Sequence, residues 1–531
     1  MRLVRSEVMR TRALLVACSS LLLGVAALAQ PRNPDQWYAA GQAAMERGQY
    51  RQAEQAFSRA VQGNPSAANW RWLGEARVRL ADYDGATVAF GTAILKYRAM
   101  GDALTANALE NRTAPYKQAG EVYLLGARPE APETLARLEP GAGLLMGAYV
   151  AENGLTGDNR IAMRDKIGTG LAVYFRYHNL IRPQDATTER PVFPTRLARA
   201  AQRDGAALHI ALEPASGLAR VTPDVVEAFA RAVRDARIPV FVRFASEFND
   251  PGNPWGSNPG LFIEKFRLVA DTLHRVAPNA ATVWMPMGSR FEVLDRYYPG
   301  ARYVDWAGIS LYSTPFANGD RNVSNARVSP LDAVETFYNK YASRHPIQIS
   351  EYAASHETLA TPGADYTRFA TQKMAMLYWG AMLKFPRLKN INWLDIDMIR
   401  TKYLPSARAP ERRNNYALLD NPAKLEVFKS VLADPYFLRD PISTALSAPT
   451  PLPTRMPAGE SVEIAAWVKT FDPDVARVRY ALNGATFAST NALPYRARLP
   501  ALKPGKQTLT LTAFNSGGKL LLTRTMKLEV R

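Results

Sequence analysis

The sequence predicts a multidomain chain with an α-helical repeat region, a (β/α)₈ barrel and a C-terminal β-sandwich. Three patterns predict it: a 33-residue repeat in residues 34–95, apolar runs alternating with amphipathic helical stretches over 140–438, and short alternating strands over 456–531. With 531 residues the chain is too long for a single hydrophobic core, which also favours several domains.

The N-terminus has the pattern of a secretory signal peptide over residues 1–29. Four arginines in residues 2–12 precede an apolar run that ends Ala27-Leu28-Ala29. We therefore expect a periplasmic or secreted protein. Cys18, the only cysteine, lies inside this run, and cleavage there as a lipoprotein is the less favoured alternative. Cleavage after Ala29 leaves no cysteine for a disulfide or a zinc–thiolate site.

The chain is basic, with a formal net charge of +18. A basic surface suits an anionic polymer, a membrane face or nucleic acid, but an ordinary solvated surface explains it equally well. The lysines and arginines are scattered and resemble no nucleic-acid-binding motif, so we expect no nucleic-acid partner. After the signal peptide no apolar segment is long enough to span a bilayer.

Residues 34–126 are predicted to form helical repeats. Six positions recur at an interval of 33 residues: Trp37, Gly41, Tyr50, Ala53, Phe57 and Ala60 return as Trp70, Gly74, Tyr83, Ala86, Phe90 and Ala93. The pattern resembles the tetratricopeptide repeat, and residues 105–126 are expected to add an irregular helix pair or a capping helix. Such repeats either hold a protein partner, here one of the cell envelope, or act as a helical spacer.

Eight apolar runs predict the strands of the barrel over residues 140–438. They are Leu144–Val150, Leu171–Arg176, Ala207–Leu212, Pro239–Phe244, Thr282–Met287, Trp306–Tyr312, Ile347–Ser350 and Ile391–Leu394. A doubly wound open sheet is the competing architecture. Because no glycine-rich turn follows the first strand, a nucleotide-binding version of that sheet is disfavoured.

Linkers are expected over residues 127–139 and 440–455, which are rich in proline. The tail, residues 456–531, has short alternating strands with turn signals at Asn483-Gly484 and Ser516-Gly517-Gly518. It resembles a bacterial immunoglobulin-like domain, for which a spacer role is favoured over carbohydrate binding.

Two glutamates follow strands at positions that suit catalysis. Glu247 comes after the fourth predicted strand and Glu351 ends the seventh. Active sites of these barrels lie at the C-terminal ends of the strands, and strands four and seven face each other across the barrel. Glycoside cleavage needs such a pair, one carboxylic acid to protonate the departing oxygen and one carboxylate to attack the anomeric carbon.

Several segments of this region resemble glycoside hydrolase family 26, the β-mannanase-type barrels. They are Gly147-Ala148-Tyr149, Arg243 to Asn249, Trp255, Tyr298-Pro299-Gly300, and Tyr303 through Ile309 with Tyr312. The resemblance implies that Glu247 is the acid/base, that Glu351 is the nucleophile and that Tyr312 donates to the nucleophile. It also implies substrate contacts from Arg243, Ser246, Asn249, Trp255 and Trp393, the two tryptophans as sugar platforms. Arg243 could equally be a structural partner of a buried carboxylate, and Trp393 a buried core residue.

Ser246 departs from the family pattern, because mannanases of the family usually have His directly before the acid/base. The expected substrate is therefore a β-linked polysaccharide whose sugar is unassigned, cut by a retaining and endo-acting hydrolase that is linked to exopolysaccharide synthesis or export. The alternative is a glycan-binding scaffold with a weak or inactive site. Neither a cofactor nor a metal is expected, since the chain has five histidines and no cysteine after cleavage.

Overall fold

A computed structural model of the chain describes residues 31, 33–128, 134–149, 152–153, 157–180, 193–401 and 409–531. The signal peptide and Cys18 lie outside these residues. The chain divides into two compact units, Met1–Asn107 and Ala108–Arg531.

The described part of the first unit is helical. Its helices are α1 Pro34–Glu46, α2 Tyr50–Gly63, α3 Ala67–Arg79 and α4 Tyr83–Ala99, while α5, Ala103–Thr113, crosses the boundary between the units.

The repeated sequence positions make a repeated contact between these helices. Phe57 of α2 lies on Gly41 of α1, where a Cβ atom would come within 2.6 Å of the ring, and Phe90 of α4 lies on Gly74 of α3 in the same way. Small residues at these positions let the two helices of each pair approach closely. The assignment to tetratricopeptide repeats stays a prediction.

The helical region ends earlier than residue 126. Ala119–Ala127 is a β-strand, so the expectation of further helix there is wrong from residue 119 onward. Successive side chains point to opposite faces of this strand, since Val122 faces the C-terminal apolar core while Tyr123 faces the barrel core. The chain thus contributes one strand to the C-terminal sheets before it enters the barrel.

Eight parallel strands form a closed barrel in the second unit: β1 Leu144–Tyr149, β2 Val173–Asn179, β3 Ala207–Glu213, β4 Val240–Phe244, β5 Ala280–Trp284, β6 Trp306–Ser313, β7 Ile347–Ala354 and β8 Leu388–Trp393. The barrel closes where β8 pairs with β1. All eight overlap the predicted runs. The predicted barrel is confirmed, and the open doubly wound sheet is excluded.

Helices cover the outside of the barrel, so the outward faces of its strands are buried. They are α6 Asn159–Ile167, α7 Thr195–Asp204, α8 Pro223–Ala236, α9 Pro259–Val276, α10 Pro330–Tyr341, α11 Thr367–Lys384 and α12 Pro422–Leu432. Three of them start with proline after a capping side chain: Asn258, Ser329 and Asn421 each accept a hydrogen bond from a backbone N–H of the first turn.

Short elements complete this unit. The 3₁₀ turns are Ala114–Tyr116, Leu218–Arg220, Pro254–Gly256, Phe291–Tyr297, Ala301–Tyr303, Ala317–Gly319 and Pro410–Arg412, and the short strands are Glu152–Asn153, Gly157–Asp158, Glu357–Thr358, Asn414–Asn415 and Phe437–Leu438. Phe291–Tyr297 and Ala301–Tyr303 occupy the connection between β5 and β6.

The C-terminal region forms two sheets over one apolar cluster. One has the order Ala448–Pro451, Ala119–Ala127, Val462–Lys469, Ala497–Leu499, and the other the order Arg455–Met456, Leu520–Val530, Gly505–Phe514, Arg477–Leu482, Ala485–Thr490. The predicted linker 440–455 therefore contains a strand of the first sheet. The immunoglobulin-like assignment stays a prediction.

The first sheet packs directly on barrel helices. Trp467 lies against Gly380 of α11, where a Cβ atom would come within 2.9 Å of its ring. Lys469 pairs with Asp332 at 2.6 Å and Lys384 pairs with Glu121 at 2.8 Å. Within the described ranges, no helix has both the length and the hydropathy needed to cross a membrane.

Candidate active site

Glu247 lies in a tight turn just beyond β4. Ala245 and Glu247 have φ values of 49° and 53°, a left-handed conformation that costs free energy in residues other than glycine. The Glu247 N–H donates to the Met285 carbonyl at 2.8 Å, and the Asn253 side chain donates to the Glu247 carbonyl at 2.9 Å. These contacts hold the strained turn and fix the direction of the Glu247 side chain.

Trp255 and Asn249, which were predicted to contact substrate, instead hold this turn. Trp255 is 8 % exposed and donates its indole N–H to the carbonyl of Ser246 at 2.7 Å, and Ser246 itself is 4 % exposed. The side chain of Asn249 donates to the Ser289 carbonyl at 2.7 Å and accepts from the Met287 N–H at 2.7 Å. The indole N–H of Trp255 and the side-chain amide of Asn249 are thus occupied within the protein, which corrects their predicted substrate contacts. The predicted contact from Ser246 stays a prediction.

Glu351 lies on β7 directly after an irregularity of the strand. In the pairing of β7 with β6, Ile349 is opposite Ile309 but Glu351 is opposite Ser310, so Ser350 is an extra residue. This is a β-bulge, which changes the face to which the following side chains point. The bulge turns Glu351 toward the mouth of the barrel.

Tyr352, the next residue, faces outward and packs edge-on against Trp393. Trp393 is fully buried at the end of β8, with Lys424 Nζ 5.0 Å from the centre of its ring. A side chain with no exposed face cannot stack on a sugar, so the predicted platform at Trp393 is wrong.

Arg243 and Tyr312 both contact the Glu351 carboxylate. Arg243 Nη2 lies 2.5 Å from Glu351 Oε1, and these two side chains are almost fully buried. The guanidinium also lies over the rings of Phe175 and Tyr177, at 4.9 and 5.5 Å. Tyr312 is 37 % exposed, but its hydroxyl reaches inward and donates to Glu351 Oε2. The charge of Glu351 is therefore balanced by Arg243 inside the barrel, and the predicted pairing with Tyr312 is present.

Ser310 makes the corresponding contact with the other carboxyl group. Its hydroxyl donates to Glu247 Oε1. Ser310 and Tyr312 are alternate residues of β6 and so face the same side of the strand. One strand therefore connects to both glutamates.

The two glutamates differ in their electrostatic surroundings. Burial and the nearby charge of Glu351 raise the pKa of Glu247 to about 7, although the Ser310 hydrogen bond and Arg243 act to lower it. Burial and the charge of Glu351 also raise the pKa values of Tyr177 and Tyr312 well above the usual range of tyrosine, so both hydroxyls keep their protons. Glu247 can thus be a neutral acid at neutral pH.

Glu213, at the end of β3, is a third carboxyl group near this pair. Burial and the charge of Glu351 raise the pKa of Glu213, while Arg243 acts to lower it. Ser310 and Tyr177 also belong to this group of residues, although neither was predicted from the sequence. The alternation of β6 was the signal for Ser310, because residues two apart share a face, and Tyr177 has the same relation to the buried Phe175.

The barrel mouth thus holds a carboxylic acid that can be neutral and a carboxylate that is paired with Arg243. Together these two groups can carry out a displacement reaction. The neutral group can give up a proton while the other attacks an electrophilic carbon. In the part of the chain that the structure describes, no group of three or more His, Cys, Asp or Glu residues is placed to hold a metal ion.

Residues 192–329 match the family model described as Glycosyl hydrolase family 26. This stretch includes Glu247, Ser310 and Tyr312 and ends before Glu351. A comparison with curated protein sequences gives no match.

Solved structures that are similar to the chain include three with glycosidase-type names. An endo-β-1,4-mannanase double mutant from Cellulomonas fimi is 17% identical, with a TM-score of 0.39, over 75% of this chain and 100% of that one. GH26C from Muricauda sp. is 13% identical, with a TM-score of 0.40, over 56% and 87%. A β-glucuronidase from Bacteroides uniformis is 12% identical, with a TM-score of 0.38, over 77% and 48%.

Proposed function

We propose that this chain is a retaining glycoside hydrolase in which Glu247 is the acid/base and Glu351 the nucleophile. One observation carries the proposal: the two glutamates, beyond β4 and on β7, have different surroundings, Glu247 in a buried site that raises its pKa to about 7 and Glu351 paired with Arg243 at 2.5 Å. A glycosidase needs this division between a proton donor and a charged nucleophile. The match of residues 192–329 to family 26 supports it.

The reaction has two steps. Glu247 protonates the glycosidic oxygen while Glu351 attacks the anomeric carbon, so the C–O bond to the leaving sugar breaks as an ester bond to Glu351 forms. Glu247, now ionised, takes a proton from water, and the hydroxyl attacks the same carbon and releases Glu351. The Tyr312 hydroxyl, which donates to Glu351 Oε2, fixes the nucleophile's orientation during attack.

The proposed substrate is a β-linked polysaccharide cut within the chain. The sugar is left open, because Ser246 stands where family mannanases usually have His. Because Trp255 and Trp393 are buried, we expect exposed residues such as Tyr312, which is 37 % exposed, to contact the sugar in the cleft.

We place the enzyme in the periplasm or outside the cell, and its helical repeats against a protein of an exopolysaccharide synthesis or export system. The signal-peptide pattern of residues 1–29 and the paired helices over residues 34–99 support this placement. A pull-down with the full-length protein that recovers no envelope protein from the host would contradict the partner.

Reducing-sugar release from a panel of polysaccharides tests the activity. The panel comprises mannan, β-1,3-xylan, mixed-linkage glucan and the host's own exopolysaccharide, each with wild type, Glu351→Ala and the control Glu264→Ala. Glu264 lies on the exposed face of α9, with 65% of its side chain accessible. We expect release that Glu351→Ala abolishes and Glu264→Ala preserves. Binding without release on every polymer would favour the glycan-binding scaffold instead.

A further inference from the structure

We propose that Asn392 is a positioning residue for Glu351, which it holds through the carbonyl of Ser350 at the bulge of β7. The inference rests on the function proposed above, in which Glu351 is the nucleophile. Asn392 does not touch Glu351, and its effect passes through the backbone.

The side-chain amide of Asn392 joins β8, β7 and β3. Asn392 is fully buried, and its Nδ2 lies 3.4 Å from the Ser350 carbonyl and 2.9 Å from His209 Nδ1. An amide nitrogen carries two hydrogens, so it can donate to both acceptors. The Ser350 carbonyl belongs to the extra residue of the bulge, directly before Glu351.

His209 orients this amide from the opposite side of the barrel. Burial and the charge of Arg243 lower the pKa of His209 well below its usual value, so the imidazole is neutral. A neutral imidazole accepts at only one ring nitrogen, and the shorter contact, 2.9 Å from Asn392 Nδ2, makes Nδ1 that acceptor. The other ring nitrogen, Nε2, lies 3.4 Å from Gln348 Nε2. Gln348 lies two residues before Ser350. His209 therefore lies against Asn392, whose amide contacts the bulge, and against Gln348 of β7, the strand that contains the bulge.

Two glycines leave room for this arrangement. A Cβ atom at Gly147 of β1 would overlap Asn392 Oδ1, and one at Gly308 of β6 would overlap Ser350 Oγ. Larger residues at either position would displace the amide or the bulge. The interior of the barrel is thus shaped around these two polar side chains.

Stability does not account for a polar layer at this depth. Buried polar groups cost free energy relative to apolar packing, and Ser350 Oγ and Asn392 Oδ1 have no hydrogen-bond partner among the described residues. An apolar layer like those of other barrels would be more stable. We attribute the free-energy cost of burying Ser350 and Asn392 to their role in positioning Glu351.

Kinetics of Asn392→Leu and Asn392→Asp, on the polymer that the wild type cuts, test the proposal. A displacement of about 1 Å costs on the order of 100-fold in rate, so we expect kcat to fall by about 10–100-fold. KM should stay within about twofold. The alkaline limb of the pH profile should move, because the charge of Glu351 raises the pKa of Glu247 and a displaced Glu351 changes that contribution. The control is Asn390→Leu, whose amide donates to the Leu145 carbonyl at 3.3 Å, and it should leave kcat nearly unchanged.

Crystal structures of the wild type and of both Asn392 variants test, without an activity assay, whether Asn392 positions Glu351. We expect the backbone at Ser350 to shift and the Glu351 carboxylate to move relative to Arg243 by about 1 Å. A variant that keeps the bulge and the 2.5 Å contact, or that keeps its kcat, overturns the proposal. If Asn392→Leu fails to fold, Asn392→Asp, which has nearly the same volume, gives the answer. Because this readout needs no substrate, it separates failure of this inference from failure of the proposed hydrolase.

Discussion

Ser310 and Tyr312 lie two residues apart on one strand, and each donates a hydrogen bond to a different carboxyl group, Ser310 to Glu247 and Tyr312 to Glu351. Both hydroxyls point into the barrel mouth because alternate residues of a strand share a face. A movement of β6 would therefore disturb both glutamates. A substitution of Ser310 alone would perturb Glu247, and a substitution of Tyr312 alone would perturb Glu351.

Ser310→Ala should move the alkaline limb of the activity profile to higher pH. The Ser310 hydroxyl lowers the pKa of Glu247 by stabilising its ionised form, so its loss raises that pKa, and Glu247 stays protonated to a higher pH. The measurement is kcat/KM against pH. Ser313→Ala is the matched control, since Ser313 lies on the same strand but contacts Tyr352 at 3.3 Å. An unchanged or lowered alkaline limb would contradict the assignment of Glu247.

Arg243→Met should destabilise the protein, because it leaves the Glu351 carboxylate buried without a partner. Removal of one partner of a buried ion pair typically costs about 3–5 kcal/mol. The double variant Arg243→Met/Glu351→Gln removes the unpaired charge and should recover a large part of that loss. Thermal unfolding of the wild type, both single variants and the double variant measures the coupling. Additive effects of the two substitutions would mean that the pair does not interact.

Glu247→Gln should stabilise the protein at alkaline pH and have little effect at acidic pH. The folded-state pKa of Glu247, about 7, is above its ordinary value of 4.5, so the folded protein binds this proton more tightly than the unfolded chain does. That stabilisation is fully present below about pH 4.5 and is lost as the pH rises through about 7. Glutamine resembles the protonated acid at every pH.

The expected gain for Glu247→Gln at pH 9 is up to about 3 kcal/mol, from the pKa difference. The measurement is the melting temperature of both proteins between pH 5 and pH 9. Glu264→Gln on the exposed face of α9 is the control and should show no such trend. A constant difference across this range would indicate that the carboxyl of Glu247 is not protonated in the folded protein.

Trp393→Phe should lower stability without changing KM. The indole is fully buried and packs against Tyr352, so a smaller ring leaves a cavity that costs on the order of 1–3 kcal/mol. Since Trp393 has no exposed face, substrate contacts should be unaffected. Thermal unfolding and steady-state kinetics measure the two effects. A raised KM at unchanged stability would restore Trp393 as a sugar platform.

The barrel was predictable from sequence because its strands are short apolar runs separated by amphipathic helices. The strand Ala119–Ala127 was not predictable, because its partners Ala448–Pro451 and Val462–Lys469 lie more than 300 residues further along the chain and no local pattern indicates them. A strand in that position has the same two-residue period as any other, and only the long-range pairing assigns it to the C-terminal sheets.

The positions of Glu247 and Glu351 followed from the rule that sites lie at the C-terminal ends of barrel strands. The orientation of Glu351 did not, since it depends on the bulge at Ser350, and a bulge is a property of the pairing of two strands. Trp255 and Trp393 had the expected places in the chain. Which way an indole points depends on tertiary packing, and both point into the protein.

The stereochemistry of cleavage tests the central claim most directly. Proton NMR of the first sugar released from the polymer that the protein cuts gives the configuration of the new reducing end before it mutarotates. A nucleophilic Glu351 forms a covalent intermediate, so two inversions retain the configuration, and a β-linked substrate should first give the β-anomer. The α-anomer as first product would mean a single displacement by water, and it would contradict the role assigned to Glu351.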